Sequence, residues 1–474
     1  MRNTNLFLTV LLFLLSSSLL ANVKLPALIS DHLVLQRNSR IKVWGWADPG
    51  EEILIKGNWR GGKASTKCNS DGKWSAFIQT LEAGGPYSIV VQGKNRIDIK
   101  NIMFGEVWFC SGQSNMEFTL KKLGGWSSEH FEKEKTRLEI NDFSDIRLFT
   151  VKKHAARKKQ EDVQGQWMMA NLQHVEEFSA TAWFFGLNLY RKLGIPIGLI
   201  SSAWGGTGAE VWAPEEICLK DKDLKFFKNE PNKTEWWPGK PGVLYNGMVY
   251  PILNYKIRGV VWYQGETNRK EADLYESLFP AMIESWRKAW KQKFPFYYVQ
   301  IAPFGYNEQL AGAQLREVQW KCQAIPRTGM VVTMDIGNKK DIHPKNKQEV
   351  GRRLALLALR NNYGYNYLID RGPSFKKMKI DGDQVKLTFD NAIGGLSAYG
   401  DTWEQFEVAG KDRIFYPAKA QIIGESVILH CDQVAEPVAA RFAFKSDAEA
   451  RLTNQAGLPA SSFRTDTWEL EKDW

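Results

Sequence analysis

Val107-Trp108-Phe109-Cys110 is a short apolar run that enters a polar, glycine-containing turn, Ser111-Gly112-Gln113-Ser114-Asn115-Met116. A run this short, without alternation, is the pattern of a strand buried on both faces. The same strand-then-polar-cluster pattern returns three times. Ile197-Gly198-Leu199-Ile200 leads into Ser201-Ser202-Ala203-Trp204-Gly205-Gly206-Thr207-Gly208. Val260 to Tyr263 leads into Gln264-Gly265-Glu266-Thr267-Asn268, and Val331 to Asp335 leads through a short loop to Asp341-Ile342-His343-Pro344. Helical patterns lie between them: Phe178 to Leu193 closed by Gly194, Asp273 to Lys291, and Lys345 to Asn362 with Pro344 near its start and Gly364 past its end. Strands alternating with helices predict an α/β domain with a parallel sheet covered on both faces. Ligands then sit beyond the carboxyl ends of the strands, where the polar clusters fall.

Outward from this core the pattern changes. Residues 22–104 hold short β-like runs, among them Ile41 to Trp46, Glu52 to Ile55, Trp74 to Ile78 and Tyr87 to Val91, with turn residues between them. They predict a small β-sandwich. Residues 366–474 turn β-like again, through Gln384 to Phe389 and Ala418 to His430. The expected organisation is a β domain over 22–104, the α/β domain over 105–365 and a C-terminal β-rich region over 366–474. A chain of 474 residues has length for about three domains.

Residues 1–21 read as a secretory signal: Arg2, then the apolar stretch Leu6 to Leu15, then a small-residue exit at Ala21. An uncleaved anchor is the alternative. Export places the protein in a periplasm, a lumen or the medium, with no stable membrane insertion after cleavage. Five Cys at wide spacing form neither a disulfide framework nor a zinc pattern, and Cys110 suits a buried small hydrophobe. The net charge of +10 is spread along the chain. Its densest run, Lys152 to Lys159, suits a solvated loop or helix face, so nucleic acid is not an expected partner. The 19 Trp fit a core, or stacking on sugar rings.

A hydrolase needs a nucleophile, a base and donors for an oxyanion. Ser114, after Gly112-Gln113, offers a hydroxyl on a tight turn. His343 is held extended by Pro344, and Asp341, two residues earlier, can share its side of the segment. Gly205-Gly206-Thr207-Gly208 lets backbone N–H groups approach a ligand, and Gln264 and Asn268 offer amides. No residue cluster calls for a metal or cofactor.

Gly112-Gln113-Ser114-Asn115-Met116, Trp204-Gly205-Gly206-Thr207, Trp262-Tyr263-Gln264-Gly265-Glu266-Thr267-Asn268 and Asp341-Ile342-His343-Pro344 resemble the blocks of the SGNH hydrolase superfamily. More narrowly they resemble its sialate O-acetylesterase branch, which is related to acetylxylan esterases. Leu25 to Gln36, Tyr245-Asn246-Gly247-Met248 and Gly457 to Arg464 agree with that branch. The resemblance implies a three-layer SGNH-hydrolase-like domain. It implies a serine esterase that removes O-acetyl groups from sialic acids, or from xylan or another acetylated glycan, with Ser114 as nucleophile and His343 as base. Ser114, Gly206, Gln264 and Asn268 would form the oxyanion hole, and Asn115, Trp204, Asn246 and Glu266 would touch substrate. The superfamily commonly spaces its Asp and His three apart. Here they are two apart, so Asp341, Asp335, Glu266 or a backbone carbonyl could orient the imidazole. A secreted carbohydrate-binding protein without catalysis is the competing class.

Overall fold

The structure, a computed structural model, describes residues 22–125, 131–140, 142–229, 237–398 and 405–470. The segment read as a secretory signal lies outside the described residues. In chain order the elements that frame the site begin with β1 (Arg40–Trp46) and β2 (Lys73–Gln79), an antiparallel ribbon. Next come β3 (Arg96–Gly112), β4 (Ile146–Thr150), β5 (Trp167–Met169), α1 (Ala180–Leu193) and β6 (Ile197–Ala203). Then follow β7 (Gly259–Tyr263), α2 (Ala272–Ala289), β8 (Phe296–Val299), α3 (Ala311–Lys321), β9 (Thr328–Val331) and α4 (Lys347–Asn362).

The central sheet runs β9-β8-β7-β3-β6-β4-β5, parallel throughout except for β5, which lies antiparallel on β4. Alternation along β3 divides the two layers. Val107 and Phe109 pack with the apolar side chains of α2 and α3, and Trp108 and Cys110 with those of α1 and α4. α1 starts at Ser179, whose side chain accepts the N–H of Ala182, and ends at Gly194 in left-handed geometry.

β3 is seventeen residues long and serves two sheets. Its first part pairs antiparallel with Gly84–Gln92, and its second part joins the parallel sheet from Glu106 onward. The core of the N-terminal region is therefore continuous with one face of the central sheet. Glu106, buried at the junction, holds the two together: it accepts from Gln36 Nε2 at 3.0 Å, Arg37 Nε at 2.6 Å and the Tyr363 hydroxyl at 3.2 Å.

The C-terminal region forms two four-stranded sheets and a short pair. The β-like run Ala418 to His430 is a hairpin, Lys419–Ile423 and Ser426–His430, with Gly424 at φ +62° between them. Buried Arg316 on α3 anchors the region, donating to Ser462 Oγ and to the carbonyls of Lys445 and Ser446. All five cysteines are free and buried. Six of the tryptophans are wholly enclosed, so they fill the core rather than meet ligand. No helix among the described residues is long and apolar enough to cross a membrane.

Candidate active site

Gly112 ends β3 with φ +140°, and a Cβ there would sit 2.1 Å from the carbonyl oxygen of Tyr263. Only glycine lets β3 and β7 close to this distance while the chain turns outward. One helical turn, Ser114–Glu117, follows at once. Its carbonyls are held from α1, where Ser179 Oγ donates to Met116 O at 2.6 Å and Thr181 Oγ1 to Asn115 O at 2.9 Å. The Ser114 hydroxyl is thereby fixed at the carboxyl edge of the sheet.

His343 comes to it from the loop before α4, with Nε2 2.9 Å from Ser114 Oγ. The imidazole lies flat on Phe118, ring centroids 4.1 Å apart, which fixes its plane. On the far side Asp341 Oδ1 is 3.5 Å from Nδ1 and also accepts the His343 backbone N–H at 2.9 Å. At 3.5 Å the carboxylate supplies charge rather than a short hydrogen bond. Burial first, then the nearby Lys347 ammonium, lowers the His343 pKa, while Asp341 opposes them. The net effect favours a neutral imidazole, the form that accepts a proton.

Asp335 turns away from this site. Its carboxylate binds Arg353 through two bonds of 2.8 and 2.7 Å. Glu266 is buried and accepts Asn115 Nδ2 at 2.6 Å, so it too belongs to another interaction.

The loop after β6 lies against the serine: a Cβ on Gly205 would be 3.2 Å from Ser114 Cβ. The Glu117 carboxylate accepts the Gly205 N–H, while Lys153 binds that carboxylate at 2.7 Å and stands over the Trp204 ring. Gly206 takes φ +72°. Among the described residues the N–H groups of Ser114 and Gly206 have no protein acceptor, so both are open to an anion.

Several expected site residues sit elsewhere. Gln264, wholly buried, spends its amide N–H groups on Thr207 O at 3.2 Å and Asn268 Oδ1 at 2.7 Å. Asn268 accepts the Ala209 N–H and donates to Glu210. These two amides brace the Gly206 loop from behind instead of facing a ligand. Asn115, expected to touch substrate, is fully enclosed: Nδ2 donates to Glu266 and to Ile342 O, and Oδ1 accepts from Lys347. It joins the serine turn to the histidine loop. Asn246 donates to the carbonyls of Ala156 and Arg157 and pins the basic loop. Sequence reasoning passed over Glu117, Phe118 and Lys347. Lys347 had a legible signal, since with Val350 and Leu354 it occupies the apolar stripe of α4, where a lysine is out of place.

Residues 105–360 match the family described as carbohydrate esterase, sialic acid-specific acetylesterase. The chain belongs to that family. It is a carboxylic ester hydrolase of the carbohydrate-esterase kind. It is 31% identical over 395 residues to the sialate O-acetylesterases of Pongo abelii and Homo sapiens, with 74% of this chain and 73% of each relative covered. Among solved structures it resembles a carbohydrate acetylesterase from Xanthomonas citri, with a TM-score of 0.84 and 36% identity over 94% of this esterase and 100% of that chain.

Proposed function

We propose that this esterase removes O-acetyl groups from sialic acids through an acetyl-enzyme on Ser114. The observation that carries the reading is the 2.9 Å approach of His343 Nε2 to Ser114 Oγ at the carboxyl edge of the sheet. The serine oxygen attacks the ester carbonyl as its proton passes to Nε2. The carbonyl oxygen becomes an oxyanion that accepts the Ser114 and Gly206 N–H groups, and the positive imidazolium faces Asp341. As the intermediate collapses, the imidazolium returns the proton to the departing sugar oxygen. Water then attacks the acetyl-enzyme as one of its protons passes to Nε2. On collapse the imidazolium gives that proton to the departing Ser114 Oγ, freeing the serine and acetic acid, which ionises to acetate. Gln264 and Asn268 act in this scheme by holding the Gly206 loop.

Support for sialic acid comes from the family description and from the name carried by the mammalian relatives. The broader name of the Xanthomonas protein, a carbohydrate acetylesterase, supports a second reading, xylan or another acetylated glycan. Acetate release from O-acetylated sialic acids and from acetylated xylan, measured side by side, decides between them. Labelling by a serine-directed phosphonate separates the enzyme from a carbohydrate-binding protein: an unlabelled Ser114 would overturn the mechanism. Met1 to Ala21 supports export, with a mature chain beginning near Asn22. N-terminal sequencing of the processed protein tests that assignment.

A further inference from the structure

A groove of about 1160 Å³ runs between the β1–β2 ribbon and the end of α2, lined by none of Ser114, His343 or Asp341. The ribbon is two-faced. Ile41, Val43, Trp74, Ala76 and Ile78 point into the core. The other face presents Arg40, Lys42 and Trp46 beside Lys73 and Phe77, in the cross-strand pairs Lys42–Phe77 and Trp46–Lys73. Phe77 is 48% exposed, an aromatic ring on a face that a purely solvated ribbon would fill with polar groups. Arg40 stacks on it at 4.4 Å.

The opposite wall is cationic as well, with Lys288 and Lys291 from α2 and its end. In all, nine Lys and Arg side chains line the groove against two Glu. One of those, Glu161, is bound by Lys73 and by Trp46 Nε1. Among the described residues Lys42, Lys288 and Lys291 have no carboxylate partner, and Lys42 finds only the neutral Asn254 Oδ1 at 2.9 Å. The Lys42 pKa is lowered, by burial first and by the Lys291 charge second, so two like charges act on each other across the gap. Unpaired cations held facing one another are stabilised by an anion between them. Lys159, from the basic run after β4, joins the lining beside Tyr250.

We propose that this groove is a second glycan site, separate from the catalytic serine, which holds an acidic oligosaccharide by its carboxylates while Phe77 and Trp46 meet the sugar faces. The choice of glycan over another polyanion rests on the proposed action on sialic acids, each of which carries a carboxylate. The site would keep an anionic chain at the enzyme while its acetyl groups are cut.

The test uses the full-length enzyme and a short polysialic acid fragment free of acetyl groups, so that binding is read apart from turnover. Wild-type enzyme should bind it with an affinity that falls as salt rises, and should leave neutral xylo-oligosaccharide unbound. K42E/K291E should weaken binding about tenfold or more, and F77A should weaken it too, while kcat/KM for 4-nitrophenyl acetate stays at the wild-type value. Absence of polysialate binding, or equal binding by K42E/K291E, would overturn the site. Tighter binding of single-stranded DNA of matched charge would overturn the glycan assignment. If polysialate binds as expected but no acetate leaves acetylated sialic acid, the groove stands and the esterase reading falls.

Discussion

Asp335 and Arg353 face each other in a two-pronged ion pair buried beneath α4, with side chains 7% and 4% exposed. Asp341 differs on every count: it is half-open to solvent, 3.5 Å from His343 Nδ1, and tied to its own loop. The two carboxylates should therefore fail differently. Asp335→Asn removes one partner of a buried pair and should cost about 3 kcal/mol of stability, with kcat of the folded enzyme little changed. Asp341→Asn should leave the melting temperature near wild type and lower kcat on the order of 10²-fold, less than for a fully buried acid because solvent screens the charge. Thermal melts beside steady-state kinetics separate the two. Near-normal turnover in Asp341→Asn would leave a Ser114–His343 dyad.

The second prediction concerns Gly206. An added Cβ would meet the Trp237 ring at 2.7 Å, on a backbone at φ +72° that side chains rarely adopt. Gly206→Ala should swing its N–H away from the oxyanion and reduce kcat ~10²-fold, the usual effect of losing one donor. An unchanged kcat, with the loop shown intact by crystallography, would remove Gly206 from the hole.

Acidity offers a third measurement. In the proposed mechanism His343 is the base and acts only when neutral, so kcat/KM should rise with pH and level off once the imidazole is deprotonated. Burial and Lys347 hold its pKa below the ordinary value. Replacing the lysine in Lys347→Met removes a positive neighbour, stabilises the imidazolium, and should move the rising limb to higher pH. A limb that stays in place would mean that Lys347 has no electrostatic hold on His343.

The same lysine sets a pH dependence of stability. Its pKa falls from 10.5 to about 7 in the fold, chiefly through burial. Between those values the unfolded chain binds the proton and the folded chain does not, so unfolding free energy should rise with pH across that window. Urea titrations at several pH values should show this slope in the wild type and its loss in Lys347→Met.

Thiol chemistry supplies a fifth check. With all five cysteines free and buried, a thiol reagent should react with almost none of them in the native enzyme and with five after unfolding. Fewer than five in the unfolded, unreduced chain would reveal a disulfide.

Much of the candidate site was legible because strand ends are local events. Val107 to Cys110 and Val260 to Tyr263 can be read as buried strands from residue type alone. The rule that ligands gather at carboxyl ends then points to the clusters holding Ser114, Gly205 to Gly208 and His343, and the family resemblance singled out Gly206 within its loop. The strand expected over Val331 to Asp335 lies earlier: β9 spans Thr328–Val331, so the chain leaves the sheet at Val331. Past Val331 side chains take over: Gln300 still donates its N–H to Val331 O at 2.9 Å, but Thr333 meets Gln300 O through Oγ1, and Gln300 Nε2 turns to Ser461 Oγ.

By itself the sequence determined the alternation of strands and helices, the order of the polar clusters along the chain, and the serine and histidine within them. These follow from periodicity and turn chemistry over a few residues. Tertiary structure decided which polar groups stay open at the carboxyl edge of the sheet and which are used up inside. Asn115 bonds Lys347 across 232 positions, Gln264 reaches Thr207 across 57, and Lys42 faces Lys291 over a groove that exists only once two regions have packed together. An amide or a carboxylate has the same letter whether it meets a sugar or a neighbouring side chain. Its partner is set by distances that close only when the sheet, α4 and the N-terminal ribbon come together.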